Sequence, residues 1–356
     1  MSKIAIISLK YHPGHYSHLI ASYQLLESCG FNCVLYVNKK FNSLDSSNYF
    51  NKVNKIQINE YKDYKFAIFW FPSIRNIFDI LKFKLLGKTK IVYVFHEPID
   101  SYSDFYNSGF NFIKICKLFL IDIFNKITLL FSNHIILPSQ KALKVYKKKY
   151  TRFNKYYSTI SLLFDDHNIL PNFNLNSRKY ISFIGTTATD HGFIKFCNFI
   201  EFALKFDLFP KYTFLIATGS KISIELKAKF AKIGKPNRIK ILEGTWLTNN
   251  QIYYFYNCSV VVWNAYDRSS QSGVLPMSFM FCTPVLGNLV ISNEYIVDGS
   301  NGIYLQNNNN ISEIIFSIEK IIKNFESYSK NSRDTFLNKF YFKNHTKEFL
   351  KILNYE

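Results

Sequence analysis

The chain has 356 residues, 48% of them hydrophobic, and a formal charge of +19 from 44 Lys and Arg against 25 Asp and Glu. This composition excludes wholesale disorder, and the length favours two domains over one. The excess of basic residues suits the binding of nucleic acid, anionic lipid or an anionic substrate. AT-rich codons for Asn, Lys, Ile, Phe and Tyr could explain part of this excess.

The first half of the chain alternates buried-strand patterns with helical ones. Ile4–Leu9 predicts a parallel strand, and a glycine-containing loop (Lys10–His18), a helix (Leu19–Ser28) and a second strand (Cys33–Val37) complete a βαβ unit. Further strands are predicted at Phe66–Trp70, Ile91–Phe95 and His134–Leu137.

The pattern restarts near residue 178 with a strand, Tyr180–Gly185, and a helix, Phe193–Phe206. Four more strands are predicted at Tyr212–Ala217, Arg238–Leu242, Val260–Trp263 and Pro284–Leu286, before a final helical pattern that begins near Ile311. We therefore predict two Rossmann-like, doubly wound α/β domains that face each other across a cleft. Their expected ranges are residues 1–170 and 171–356, with a polar linker around Asp165–Ser177 and a last helix able to pack back on the first domain.

Ligands of such sheets bind beyond the carboxyl ends of the strands. Four loops satisfy this rule: Lys10–His18, His96–Pro98, Gly185–Gly192 and Arg268–Val274. In the last one, Ser272, Gly273 and Val274 open a short apolar helix whose first turn contains Pro276. Backbone N–H groups and the helix dipole at such an opening suit a phosphate or diphosphate, although an ordinary N-cap turn is the simpler alternative.

Together these segments resemble the GT-B glycosyltransferases, and most closely glycosyltransferase family 4, over nearly the whole chain. Four segments carry the resemblance in order: Phe183–Gly185, Asn264–Val285 with its Gln-Ser-Gly-Val-Leu run, Thr283–Val285 and Ile296–Gly302. The family implies a hexosyltransferase-like enzyme that moves a sugar from a nucleotide-diphosphate sugar and retains its anomeric configuration. It also implies a polyprenyl-diphosphate-linked saccharide acceptor, in capsule or O-antigen polysaccharide biosynthesis.

The resemblance also implies site residues. His96 would face the donor sugar and Arg268 the departing diphosphate, as the residues closest to the chemistry. The expected diphosphate-binding residues are Gly14, Arg268, Ser272, Gly273 and Val274. The expected contacts to the donor sugar or nucleotide are Glu97, Gly185, Glu243, Tyr266 and Gln271. Ordinary capping, packing or turn roles are the alternatives for each of them.

The chain departs from the family pattern in two places. Many members carry two glutamates spaced eight apart, where Ser269 and Met277 stand here, and the usual Arg and Lys after the Phe183–Gly185 segment are missing. Diphosphate neutralisation would then depend on Arg268, on backbone amides, and on Lys221 or His191.

Phe112–Phe131 predicts an amphipathic helix. One half of its helical wheel is apolar, and the other holds Lys114, Lys117, Asp122, Asn125 and Lys126. A lysine-rich stretch, residues 141–155, follows it. Both segments would suit contact with an anionic membrane surface. The alternative is that the first helix packs its apolar half on the core and that the lysine-rich stretch forms a solvated, charged helix.

The chain shows no signal peptide, and its charges argue against Phe112–Phe131 as a transmembrane helix. The six cysteines have no paired spacing and predict reduced, mostly buried thiols. We therefore expect a cytoplasmic protein, peripheral on the inner face of the cytoplasmic membrane, with no metal and no other cofactor. A nucleotide-sugar isomerase (epimerase) of the same plan is one alternative. A basic, non-catalytic nucleic-acid-binding protein is another, but it does not explain the Ser272–Val274 loop, so we expect no nucleic-acid partner.

Overall fold

The computed structural model describes residues 3–11, 13–43, 50–96, 98–107, 109–245, 247–268, 272–289 and 294–353, and it divides into two compact units. Unit 1 consists of Met1–Asp165 and Phe340–Glu356, and unit 2 of Asp166–Lys339. Each unit contains its own parallel sheet and its own hydrophobic core.

Unit 1 has a sheet whose described strands follow the order β3-β2-β1-β4-β5-β6-β7, all parallel. The central strands are continuous apolar runs because helices cover both faces of such a sheet. The strands are β1 (Lys3–Ser8), β2 (Asn32–Val37), β3 (Lys52–Val53), β4 (Tyr64–Trp70), β5 (Lys90–Val94), β6 (His134–Leu137) and β7 (Tyr156–Thr159).

The helices of unit 1 lie between its strands along the chain, except the last one, which follows unit 2. Ser73, Asn111 and Ser139 each cap a helix by accepting a backbone N–H, which satisfies a donor that the first turn leaves open. The helices are α1 (Tyr16–Ser28), α2 (Ile74–Leu86), α3 (Tyr102–Asn107), α4 (Phe112–Phe131), α5 (Gln140–Lys149) and α12 (Thr346–Leu353).

Unit 2 repeats the plan with the strand order β10-β9-β8-β11-β12-β13, again parallel throughout the described residues. Its strands are β8 (Tyr180–Ile184), β9 (Thr213–Ala217), β10 (Ile239–Leu242), β11 (Ser259–Asn264), β12 (Val285–Asn288) and β13 (Gly302–Leu305). Its helices are α6 (Phe193–Lys205), α7 (Ile224–Lys232), α8 (Asn249–Asn257), α9 (Val274–Met280), α10 (Ile311–Lys323) and α11 (Phe325–Lys339).

The strand order reverses direction once in each sheet. In unit 1 the reversal lies between β1 and β4, and in unit 2 between β8 and β11. At such a point the loops after the two strands diverge to opposite faces and leave room for a ligand. The doubly wound α/β class predicted from the sequence is confirmed in both units, and the predicted strands closely match observed ones.

The structure corrects the prediction for α4. Asp122, Asn125 and Thr128, which are polar, are buried, whereas Phe112 and Phe119 are exposed. The alternative of a core-facing apolar half is therefore wrong, because buried polar partners fix the helix by its polar side. In the described ranges no helix is long and apolar enough to cross a membrane.

The thiols are more varied than predicted. All six cysteines are unpaired, but Cys116 is exposed on α4, and Cys29 and Cys258 are only partly buried. The helical pattern predicted from Ile311 onwards is in fact three helices, since α10 ends at Lys323 and α11 at Lys339.

Candidate functional site

In unit 2 the loops after β8 and β11 pack directly against each other. Gly192, at the end of the β8 loop, has φ of +67°, and a Cβ there would lie 2.7 Å from the carbonyl oxygen of Ala265. The carbonyl of Asp190 accepts the N–H groups of Asp267 (2.8 Å) and Arg268 (3.2 Å). These contacts hold the backbone at Arg268 beside the β8 loop.

The side chains of this region form a stack and a short hydrogen-bonded chain. The rings of His191 and Tyr266 are nearly parallel, with centroids 4.3 Å apart. The Ser272 hydroxyl donates to the Tyr266 hydroxyl at 3.4 Å. Burial raises the pKa of Tyr266 to about 12, so its hydroxyl keeps its proton at neutral pH.

The opening of α9 lies against the end of β8. A Cβ on Gly185, whose φ is +142°, would lie 3.4 Å from the Val274 side chain. Gly273 is exposed, and a Cβ added to it would meet no atom within 4 Å. The Val274 N–H donates to the Ser272 hydroxyl at 3.2 Å, so one of the three amides expected to point outward is capped by its own loop.

Charges in the loop after β11 are partly neutralised. Lys195 Nζ lies 2.5 Å from Asp267 Oδ1, and the Asn308 amide donates to the same oxygen and to the Ala265 carbonyl, each at 2.9 Å. The Asp267 carboxylate is therefore compensated from within the unit. An anion beside Arg268 would not meet an uncompensated carboxylate at Asp267.

Glu243 lies farther along the same edge of the sheet, after β10, which is separated from β8 by β9. It accepts hydrogen bonds from Lys227 Nζ at 2.6 Å and from the Ile222 amide. Lys227, followed by that amide, holds the pKa of Glu243 below its usual range. Glu97 and Gln271 lie outside the described residues.

Unit 1 places histidines and aromatic rings at its own reversal point. Gly14 is exposed in the loop after β1. The neighbouring His15 ring stacks on Phe71 at 3.4 Å between centroids, and His96 lies 5.1 Å from the same ring. Phe71 follows β4 with φ of +59°, a conformation that costs a bulky residue energy and that occurs preferentially at functional sites.

A cavity of about 530 Å³ lies at the carboxyl ends of β1, β2 and β3 in unit 1. Lys39, Arg75 and Lys82 line it together with one acid, Asp79. Asp79 accepts from the Tyr61 hydroxyl at 2.7 Å and lies 3.5 Å from Lys82 Nζ. The lining therefore carries an excess of positive charge. Sequence reasoning missed this cavity, because Lys39, Arg75 and Lys82 are spread over 44 positions and follow no motif.

Comparison with known proteins identifies the fold of the chain. No protein-family model matches the chain, and no curated protein matches it in sequence. Solved structures do match over its whole length, and they are glycosyltransferases built from two Rossmann-like domains. The chain therefore has the GT-B fold.

Three of these structures illustrate the similarity. Sucrose-phosphate synthase from Thermosynechococcus elongatus is 11% identical, with a TM-score of 0.70 and coverage of 99% of this chain and 98% of that one. Anabaena HepE, solved with UDP and glucose, is 12% identical, with a TM-score of 0.72 and full coverage of both chains. WaaG, a glycosyltransferase involved in lipopolysaccharide biosynthesis, is 12% identical, with a TM-score of 0.67 and coverage of 99% and 100%.

Proposed function

We propose that this protein is a retaining glycosyltransferase of the family 4 type that uses a nucleotide-diphosphate sugar. The observation that carries the proposal is the reversal point of unit 2, where Gly185, Tyr266 and the Ser272–Val274 turn lie together in a GT-B fold. HepE, which shares this fold, is solved with UDP-glucose, so UDP-sugars are the first donors to test.

The donor diphosphate would lie over the opening of α9. There the Ser272 and Gly273 amides and the Arg268 guanidinium would stabilise negative charge as the bond from the sugar C1 to the phosphate oxygen breaks. The Ser272 hydroxyl hydrogen, which is donated to Tyr266, could rotate to the ligand instead, since hydroxyl rotors adapt to their partners. Tyr266, which remains protonated, would hold Ser272 in place.

The chain's part in the reaction would be to position the donor and acceptor and to stabilise charge. The acceptor oxygen would form the new bond to C1, and its proton would pass to the leaving diphosphate, which needs no protein nucleophile. His96 would hydrogen-bond a donor-sugar hydroxyl, a role that suits an imidazole as donor or acceptor.

For the acceptor we propose a saccharide carried on a polyprenyl diphosphate, as in capsule or O-antigen assembly, used at the inner face of the cytoplasmic membrane. The cavity lined by Lys39, Arg75 and Lys82 supports a phosphate-bearing acceptor, because its charge complements the diphosphate. WaaG, which shares the fold, acts in the biosynthesis of a lipid-linked saccharide, lipopolysaccharide.

A panel of nucleotide sugars tests the donor assignment. Thermal-shift and calorimetric titrations should show that one diphosphate sugar stabilises the protein and that the matching nucleoside monophosphate binds more weakly. Stabilisation by oligonucleotides instead, falling steeply with salt, would contradict the enzyme assignment.

Arg268→Ala tests the site itself. We expect transfer to fall by about a hundredfold, the scale seen when one charge-stabilising donor is removed, with an unchanged melting temperature. Lys211→Ala is the matched control. Lys211 is an exposed cation of unit 2 that lies just before β9, and therefore at the amino ends of the strands rather than at the carboxyl ends, where Arg268 lies. Equal turnover of the two variants would remove Arg268 from the site.

A further inference from the structure

Helix α4 exposes five of its large apolar residues to solvent. Phe112 is 76% exposed, Ile113 65%, Phe119 and Leu120 52% each, and Leu130 57%. The helix begins at Phe112 and ends at Phe131, so these side chains extend over its whole length. Monomeric proteins rarely expose so many large apolar groups on one element without a partner surface.

The buried side of α4 explains why these residues point outward. Asp122 is fully buried and accepts hydrogen bonds from the hydroxyls of Tyr102 (2.8 Å) and Tyr150. Lys126 and Lys149 place their ammonium groups 2.8 and 3.3 Å from the same carboxylate. Rotating the helix to hide its apolar side would strip Asp122 of these partners, which is far costlier than leaving apolar groups in water.

A second polar contact fixes the same orientation one turn later. Asn125 is buried and accepts a hydrogen bond from the Tyr93 hydroxyl at 2.6 Å. Tyr93 lies on β5, an inner strand of the sheet, so the anchor reaches the core of unit 1. The outward apolar face is therefore built into the fold of unit 1.

The charge around this face is positive. Asp122 is the only acid between Phe112 and Phe131, and it is buried. Lys114 and Lys117 are exposed on α4 itself, and Lys155 donates to the Leu130 carbonyl at 2.9 Å. An apolar face bordered by lysines complements an anionic lipid surface, where apolar side chains enter the interface and lysines meet the headgroups.

We propose that α4 is the membrane-docking element of this protein and lies in the plane of an anionic bilayer. This deepens the proposed function, because it identifies the surface by which a transferase of lipid-linked acceptors would reach them. A second copy of the chain is a poorer occupant, since pairing through α4 would bring two lysine-bordered faces of a +19 chain together. The helix would span about 30 Å of the surface without crossing it.

Vesicle flotation of the full chain tests the proposal. We expect binding to vesicles of phosphatidylcholine mixed with about 40% phosphatidylglycerol, because anionic headgroups attract lysines, and little binding to phosphatidylcholine alone. The triple variant Phe112→Ser, Phe119→Ser, Leu120→Ser should bind more weakly by about tenfold or more, given the apolar burial lost. Phe316→Ser is the control, since Phe316 is 66% exposed on α10 of unit 2.

A second measurement does not depend on how well the triple variant folds. A tryptophan introduced by Phe119→Trp should be quenched by brominated lipids in the bound state, whereas one introduced by Phe316→Trp should not. Equal vesicle binding of all variants, or equal quenching at both positions, would overturn the proposal. A dimer in solution that the triple variant dissociates, without vesicle binding, would assign α4 to self-association instead.

The test of membrane docking can fail or succeed independently of the test of the donor site. The triple variant changes unit 1 only, so its affinity for the nucleotide sugar that stabilises the wild type should be unchanged. Loss of vesicle binding with retained donor binding supports both proposals. Vesicle binding without any nucleotide-sugar stabilisation would leave the docking surface supported and contradict the donor site.

Discussion

Gly192 shows how a single backbone position holds the candidate donor site together. Its φ of +67° and the 2.7 Å approach of a Cβ to the Ala265 carbonyl both demand glycine. We expect Gly192→Ala to lower the free energy of unfolding of unit 2 by more than about 2 kcal/mol, because strain and a backbone clash add. Urea denaturation measures this value.

Gly234→Ala is the matched control for that variant. Gly234 has a similar φ of +73°, but a Cβ there would meet no atom within 4 Å. Its substitution should cost only the conformational strain of about 1 kcal/mol. Equal losses for the two variants would show that the β8 and β11 loops do not approach each other as described.

The buried His18 side chain predicts that the stability of unit 1 depends on pH. Burial, partly opposed by the hydrogen bond to the Leu163 carbonyl, lowers its pKa from 6.5 to about 3. The unfolded chain therefore binds more protons than the folded one between these pH values, and stability falls as the pH drops through this window. We expect a loss of about 2 kcal/mol at pH 5 relative to pH 7 from this residue.

His18→Gln measures that contribution. The variant should lose stability at pH 7 but show a shallower dependence between pH 7 and pH 5 in urea denaturation. Some dependence should remain, because burial also lowers the pKa of His134 to about 4. An unchanged slope in His18→Gln would mean that His18 is not buried in its neutral form.

At the scale of elements, we expect the buried Asp122 side chain to hold α4 against the rest of unit 1. Burial alone would raise its pKa, but hydrogen bonds from Lys126, Tyr150 and Tyr102 and the charge of Lys149 hold the pKa below its usual value. Asp122→Ala should destabilise unit 1 by about 3 to 5 kcal/mol, because it leaves two lysines around a buried gap. Hydrogen exchange at α4 and thermal unfolding measure the effect.

Asp207→Ala provides the contrast for that experiment. Asp207 also pairs with two cations, Lys235 and Arg238, but at the surface of unit 2. Solvent screens such pairs, so the variant should unfold almost as the wild type does. A loss as large as that of Asp122→Ala would contradict the assignment of the α4 anchor to buried charge.

The difference between buried and exposed segments also explains how much of the fold could be predicted from the sequence. Buried strands such as β1 and β5 were predictable because continuous apolar runs are what a parallel sheet requires. β3 has only two residues and β7 is largely exposed, so neither carries such a run. The helical wheel of α4 gave its two halves but not their direction, since Tyr93 and Tyr150, which fix it, are distant in sequence.

The candidate site was predictable to a similar degree. The order of strand, loop and helix located Gly185, Arg268 and Ser272 at strand ends, because ligands of doubly wound sheets bind there. The stack of His191 on Tyr266 was not predictable, since it depends on which two strands flank the reversal of the sheet. Their roles in donor binding remain predictions.

At the scale of the whole molecule, unit 1 is completed by the last segment of the chain. The Phe164 N–H donates to the Phe340 carbonyl at 2.9 Å, and the Phe342 N–H donates to the Phe164 carbonyl at 3.1 Å. Phe349 and Leu353 are buried, and α1 packs against residues 342–345. Truncation after Lys339 should therefore destabilise unit 1 selectively.

Hydrogen exchange followed by mass spectrometry checks that prediction. Peptides from α1 should lose protection in the truncated chain, whereas peptides from β8, β11 and the helices of unit 2 should keep theirs. Uniform loss of protection in both units would show that they do not unfold as separate bodies. Unchanged protection of α1 would show that the terminal segment contributes little.

This discontinuity also has a consequence for the order of events on the ribosome. Residues 1–165 emerge before those of unit 2, yet they must wait for residues 340–353 to supply the last layer of their unit. Unit 2 is contiguous in the chain and can complete its core earlier. The nascent protein should therefore carry a finished second unit and an unfinished first one, whose exposed surfaces are candidates for chaperone binding until residues 340–353 have emerged.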